Sequence, residues 1–244
     1  MTGELRVIPI RGIPELEERD DLGALVVAAA PDFEDDDVLV VAQKAVSKVE
    51  GRVVDLTGVE ASERAYELAG DTDPRRLEVI LRETHEVVRS RPPLVIAETR
   101  HGFVCASAGV DASNAKGPDT LVLLPLDPDA SAERLRETLH DLTGKDVGVI
   151  VSDSFGRAWR RGTTDVALGV AGVVAIVDLD GSRDAAGYEL HATQIAVADE
   201  IAGAAQLVMG KLDGIPAAIV RGMRLRGDGR GTDLVMPRER DLFR

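Results

Sequence analysis

The chain has 244 residues, 44% of them hydrophobic and 30% charged, with a formal net charge of −14. That length supports one large domain or two small lobes with a real core, and the acidic balance argues against nonspecific nucleic-acid binding, which rests on Lys and Arg neutralising phosphates. No apolar run reaches the ~18 residues of a membrane helix, the start at Met1 lacks a signal-peptide layout, and a lone Cys105 rules out an internal disulfide, so a reducing cytoplasm is expected.

In chain order, Val7-Ile8-Pro9-Ile10 reads as a short strand, followed by a turn at Gly12 and Pro14. Leu22 to Ala30 has helical spacing and is closed by Pro31. Val38 to Ala42 reads as a buried strand, with Gln43, Lys44, Ser47 and Lys48 as polar groups at its end. Arg52 to Leu56 extends this region as a strand. Ser62 to Ala69 and Pro74 to Ser90 read as helices, the second capped by Asp73 and broken by Pro92-Pro93. Leu94 to Glu98 and Phe103 to Ser107 flank a hairpin turn. Gly109 to Asn114 is a small-residue loop, and Thr120 to Pro125 a strand. Ser131 opens a helix that runs to Leu142. Val147 to Val151 is a buried strand delivering Ser152 to Gly162 at its end. Ala167 to Val177 fits either a strand pair or a closely packed helix. Thr193 to Gly210 is a helix, Ile215 to Gly222 the last strand, and Gly227 to Gly231 a flexible tail. Many strands with few helices and no regular βαβ alternation indicate an α+β class: mixed, largely antiparallel sheets with packed helices in a two-lobed subunit.

The Ser152-to-Gly162 block concentrates chemistry. It holds Asp153, Ser154, three arginines (Arg157, Arg160, Arg161), Trp159 and two glycines. Carboxylate plus hydroxyl suits a hard cation, and clustered arginine suits phosphate or carboxylate. An acidic protein repels a polyanionic substrate at long range, so a bound one needs local cations, and these arginines are candidates. The plainer reading makes them surface partners of acids such as Asp165. Asp111 and Asp153 read either as paired metal ligands after apolar strands or as turn-formers bonding their own backbone. Asn114 reads as a nucleotide contact or an ordinary loop residue. Lys44 and Lys48 read as surface lysines, Trp159 as a core anchor and Cys105 as inert core. The Gly210-Lys211 segment lacks the phosphate-loop pattern. The four histidines show no metal spacing, and His85 and His140 fall on expected helices.

Five pieces in order are together specific: Gly12-Ile13-Pro14-Glu15, Gln43 to Gly51, Ala108 to Asn114, Ser152 to Gly162 and Val197 to Ala202. With them the chain resembles the coenzyme F420-0:L-glutamate ligases, the γ-glutamyl ligases of F420 biosynthesis, over nearly its whole length. The resemblance implies GTP-driven activation of a carboxylate of F420-0 as an acyl phosphate, then attack by the amine of L-glutamate, and further γ-linked glutamates. It implies GTP contacts at Ile13, Pro14, Glu15, Leu16, Gln43, Lys48 and Asn114. Metal ligation by Asp111, Asp153 and Ser154 is implied too, with Mg²⁺ or Mn²⁺, K⁺ as a further ion, and a homodimer. Asp153 is the catalytic candidate, joined by Arg157 and Arg160 as holders of a substrate anion. Some family members carry a glutamine after Met209-Gly210 that helps bind a second metal. Lys211 stands there instead, and an ammonium cannot ligate a metal, so Lys211 is expected to supply the positive charge itself. Some relatives also fuse a nitroreductase-like domain after the equivalent of Phe243, and residues 1–244 are expected to form a single ligase domain without it. Two alternatives stand beside this reading: a nonenzymatic GTP- or F420-binding sensor, and a carboxylate–amine ligase with another acceptor.

Overall fold

The apolar runs of β2 (Val38–Ala42) and β8 (Gly148–Arg157) set the architecture. In the computed structural model, which describes residues 4–243, they pair in parallel at the centre of a five-stranded sheet. The sheet order is β1 (Arg6–Ile10), β12 (Ala217–Arg221), β2, β8, β9 (Arg160–Ala171). Its other pairings are antiparallel. Strand side chains alternate between faces, and here both faces are covered. Leu39, Val41, Val149, Val151 and Ile219 pack with Val26 of α1 (Leu22–Ala29) and with Leu135 and Leu139 of α5 (Pro128–Thr143). Val40, Ile150, Ala218 and Val220 pack on the other side with Ala198, Ile201 and Ala205 of α6 (Val197–Met209). Double coverage explains why these strands read as continuous apolar runs. A fully buried Ile150 or Ile219 stabilises the sheet by roughly 1.5–3 kcal/mol.

Close packing dictates at least one residue type here. A Cβ on Gly169 of β9 would meet the carbonyl oxygen of Pro128 at 2.0 Å, so only glycine lets α5 start against the strand. Asp127 caps that helix by accepting from the Ala130 amide.

The middle of the chain forms a second group. Helix α2 (Gln43–Val49) follows β2 directly, and β3 (Val53–Asp55) pairs with β7 (Thr120–Val122). Helices α3 (Glu63–Ala69) and α4 (Pro74–Glu83) pack on the sheet β4 (Thr84–Arg91), β5 (Leu94–Thr99), β6 (Val104–Ala106). Leu68, Leu77, Ile80, Val95 and Ala97 form its core. A short pair, β10 (Val177–Asp178) and β11 (Gln194–Ile195), stands apart.

The class is α+β with mostly antiparallel sheets, as expected. Several boundaries differ. The helix expected over 74–90 stops at Glu83, and 84–91 is strand β4, so His85, Val87 and Val88 leave the helix. Pairing with β5 overrides the helical period there. The polar stretch after β2 is itself helical. The helix expected from Ser131 begins three residues earlier, at Pro128, and α6 begins at Val197 after the strand β11. The ambiguous stretch from Ala167 is strand as far as Ala171. The 227–231 segment is packed rather than flexible: Gly229 donates to the carbonyl of Val173, and Gly231 donates to the buried carboxylate of Asp129 at 2.7 Å. No helix among the described residues is long and apolar enough to cross a membrane.

Candidate active site

Ligands of open sheets bind beyond the carboxyl ends of parallel strands. In this sheet those ends are Ala42 of β2 and Ser152 of β8, which pair side by side. Asp153 was expected in a loop after the strand. It lies inside β8, which continues past it into a long hairpin with β9. The register shifts between Val151 and Ser152, where the hairpin carries a bulge. Beyond it, alternation sends Ser152 and Ser154 one way and Asp153 the other. Ser152 and Ser154 both donate to the carboxylate of Asp165 on β9, at 3.1 Å and 2.6 Å. Gln206 of α6 completes this side: its side-chain oxygen accepts from the Asp165 amide, and its nitrogen reaches Ser154 Oγ at 3.4 Å.

Asp153 faces Lys44 of α2 instead. The Lys44 ammonium stands 2.8 Å from Asp111 Oδ2 and 3.7 Å from Asp153 Oδ1. Its side chain is 13% exposed, so this is a largely desolvated cluster. Burial alone lowers the Lys44 pKa, but Asp153 and the bond to Asp111 outweigh it and raise it. Burial also works against the Asp111 carboxylate, yet hydrogen bonds from Lys44 and Ser113 hold it down to about 2. For Asp153 burial wins over the attraction of Lys44 and lifts it to about 6. Burial likewise pushes the Cys105 thiol up to about 12, so the inert reading of Cys105 holds.

Asp111 is aimed by unusual backbone. Ser107, Ala108 and Gly109 have φ of 55°, 51° and 72°, three successive residues in the left-handed region. A Cβ on Gly109 would lie 2.6 Å from Leu124. Strain of this kind persists where surrounding structure fixes it, and it concentrates at functional sites. Past the turn, Asp111 exchanges two backbone hydrogen bonds with Val122 and accepts from the Ser113 amide at 2.8 Å. The turn-former reading of Asp111 is thus correct beside its bond to Lys44.

One cleft of about 280 Å³ gathers most of the expected site residues: Ile13, Pro14, Glu15 and Leu16 from the segment after β1, Lys48 from α2, Asn114, Asp153, Ser154 and Lys211. Lys48 is paired with Glu15, and Lys116 with Glu17, so the 13–17 segment is tied to α2 and to the loop after Asp111. Four expected residues are not in its lining: Asp111, which reaches the cleft only through its bond to Lys44, and Gln43, Arg157 and Arg160. Gln43 is fully buried behind the wall. Its oxygen accepts from Ser47, and its Nε2 has no hydrogen-bond partner among the described residues. Arg157 and Arg160 are exposed in the far part of the β8–β9 hairpin, outside the cleft lining. Asp165 is bonded by serines rather than by these arginines. Trp159 is no core anchor: it is 83% exposed at φ 56° and rests on Phe243 with ring centroids 4.8 Å apart. Lys44, read as a surface residue, is at the centre. Asp165 and Gln206 carried no local signal of a site, because β9 and α6 bring them to Ser152 and Ser154 from farther along the chain.

Among the described residues no three His, Cys, Asp or Glu side chains form a metal cage. Asp111 and Asp153, drawn to one ammonium, nevertheless suit a hard divalent ion that keeps waters and phosphate oxygens as its remaining ligands, while Ser154 lines the same cleft from the other side of β8 and is bonded to Asp165. Mg²⁺ characteristically takes only one or two protein carboxylates beside substrate phosphates. The elevated Asp153 pKa marks a buried carboxylate whose negative charge is incompletely offset.

Asp153, Lys44, Lys48 and Lys211 line one cleft, with Asp111 bonded to Lys44, a set of charges suited to an anionic ligand. A family model described as F420-0:Gamma-glutamyl ligase matches residues 11–222. The chain is similar to the coenzyme F420:L-glutamate ligase of Methanocaldococcus jannaschii, at 43% identity with 100% of both chains covered. It is similar to that of Methanothermobacter thermautotrophicus at 44%, covering 98% of this chain and 99% of the relative. The Archaeoglobus fulgidus protein of the same name is 43% identical over 98% of this chain and 96% of its own. The chain belongs to the F420-0:gamma-glutamyl ligase family.

Proposed function

We propose that this chain is a GTP-dependent ligase that joins L-glutamate to coenzyme F420-0 through a γ-linked amide and extends the tail with further glutamates. The observation that carries the reading is the cluster of Asp111, Lys44 and Asp153 at the carboxyl ends of β2 and β8, opening on a cleft with Lys48, Asn114 and Lys211. The names of the relatives support the substrates.

The proposed chemistry has two steps. A carboxylate oxygen of F420-0 attacks the γ-phosphorus of GTP, the bond to the β-phosphate oxygen breaks, and GDP leaves. The amine of L-glutamate then attacks the acyl carbon, phosphate departs, and the amine loses a proton. Phosphoryl transfer needs positioning and charge neutralisation more than covalent help from the protein. Lys48 and Lys211 supply point charges in the cleft, and Ile13 to Leu16 with Asn114 would seat the nucleotide. A Mg²⁺ or Mn²⁺ ion held by Asp111, Asp153 and Ser154 would neutralise phosphate oxygens, and K⁺ is a further proposed ion. Met209, Ile215 and Pro216 give the cleft an apolar wall, which limits water that would hydrolyse an acyl phosphate. A reducing cytoplasm is the proposed location and a homodimer the proposed assembly. The exposed Trp159–Phe243 pair offers that dimer an apolar surface. In it the hairpin would carry Arg157 and Arg160 towards the second copy, where they could hold a substrate anion. A coupled assay tests the reaction: GDP release should require both F420-0 and L-glutamate. Release with F420-0 and a different amine would replace this reading with another carboxylate–amine ligase.

A further inference from the structure

The position of Lys44 is unusual for a lysine beside metal ligands. Its ammonium sits between Asp111 Oδ2 at 2.8 Å and Asp153 Oδ1 at 3.7 Å, the two carboxylates proposed to hold the cation. A divalent ion taking those carboxylates would compete with it, because the ammonium cannot join the ligand set and is repelled by a second cation at the same oxygens. Nor can it be expelled to bulk water easily, since α2 follows β2 without a loop and holds its Cα at the cleft wall. The side chain also lines the cleft, as Lys48 and Lys211 do. Of the anions near a released Lys44 ammonium, Asp165 already accepts from Ser152 and Ser154, which leaves the phosphates of a bound nucleotide as the partner without a bond of its own.

We infer that Lys44 is an internal competitor of the divalent cation: it holds Asp111 and Asp153 together while the metal is away, and on metal entry it transfers to the nucleotide phosphates. The device keeps two carboxylates, one of them largely buried, from being left unpaired in the empty site, where an uncompensated buried charge is strongly destabilising. It also couples the two ligands. Metal frees a phosphate-binding cation, and a phosphate that holds that cation favours metal, so each strengthens the other's binding as linkage requires. This inference rests on the metal assignment made above.

Two measurements test it. Mn²⁺ is titrated calorimetrically, without nucleotide, into the wild-type chain and Lys44→Gln. Removing the competitor should tighten Mn²⁺ binding about tenfold, an ordinary size for a coupling of this kind. A merely structural lysine would leave the affinity unchanged or weaken it, and either result overturns the inference. If Mn²⁺ binds neither protein, the metal assignment itself fails. The second measurement needs no variant. Acylation of Lys44 in the wild-type chain is followed by mass spectrometry, with Lys145, which pairs with Asp35 elsewhere, as internal reference. Mn²⁺ should speed Lys44 labelling relative to Lys145, and GDP added with Mn²⁺ should slow it again. Labelling unaffected by Mn²⁺ would contradict the competition, and labelling that GDP does not slow would contradict the transfer to phosphate.

Discussion

Asp165 accepts the hydroxyl proton of Ser154 at 2.6 Å, across a directly paired position of β8 and β9. With its proton committed, the Ser154 oxygen keeps a lone pair for another partner beside the long contact from Gln206, the arrangement by which outer residues orient a metal ligand. Asp165→Asn reverses the donor pattern at that position. It should lower divalent-metal affinity by roughly 10–100-fold, the usual loss for such supporting residues. Mn²⁺ titration checks this, and circular dichroism controls for an intact fold.

Asp153→Asn should cut turnover by orders of magnitude, yet stabilise the metal-free protein at neutral pH. The sign follows from protons. The folded-state pKa is about 6, against an ordinary value of 3.8. Between those values the native chain holds a proton that the unfolded chain has lost, so the stabilising contribution is full below the lower value and disappears as pH rises through about 6. Above it, ionised Asp153 costs on the order of 2–3 kcal/mol. Urea denaturation without metal should show wild type losing stability from pH 4 to 7 relative to Asp153→Asn. Asp111 runs the other way: its pKa of about 2 gives stability above 3.8 that is lost as pH falls through 2.

Gly109→Ala places a Cβ 2.6 Å from Leu124 at a φ of 72°. Strain and overpacking together should destabilise the chain by about 2–4 kcal/mol and disturb Asp111. Thermal denaturation reads the first effect and metal titration the second.

Lys211→Gln tests whether the lysine replaces a second cation. Lys211 lines the cleft on the segment after α6, where Gly210 has φ 63°. If its charge does that work, the variant should lose activity at low Mn²⁺ and recover part of it at high Mn²⁺. Unchanged activity and unchanged metal dependence would remove the idea.

The buried strands and the main helices were legible because their periods are strong: Val38 to Ala42, Val147 to Val151, and the packed face of α6. Residues 84–91 were misread because Val87 and Val88 prolong the spacing of α4, and only pairing with β5 makes them strand. Asp111, Asp153 and Ser154 stood out as polar groups after apolar runs. The burial of Lys44 did not, because one lysine on a short helix looks solvated until strand β8 and the distant segment of Asp111 deliver their carboxylates to it. Trp159 showed the converse failure: a large aromatic suggested core, but a hairpin tip carries it outward onto Phe243.

The most direct measurement is mass spectrometry of F420-0 incubated with the purified chain, GTP, Mn²⁺ and L-glutamate. Addition of glutamyl residues, with loss of product when GTP or L-glutamate is withheld, is the expected result. An unmodified F420-0 under conditions where the chain is folded and binds Mn²⁺ would contradict the proposed ligase activity.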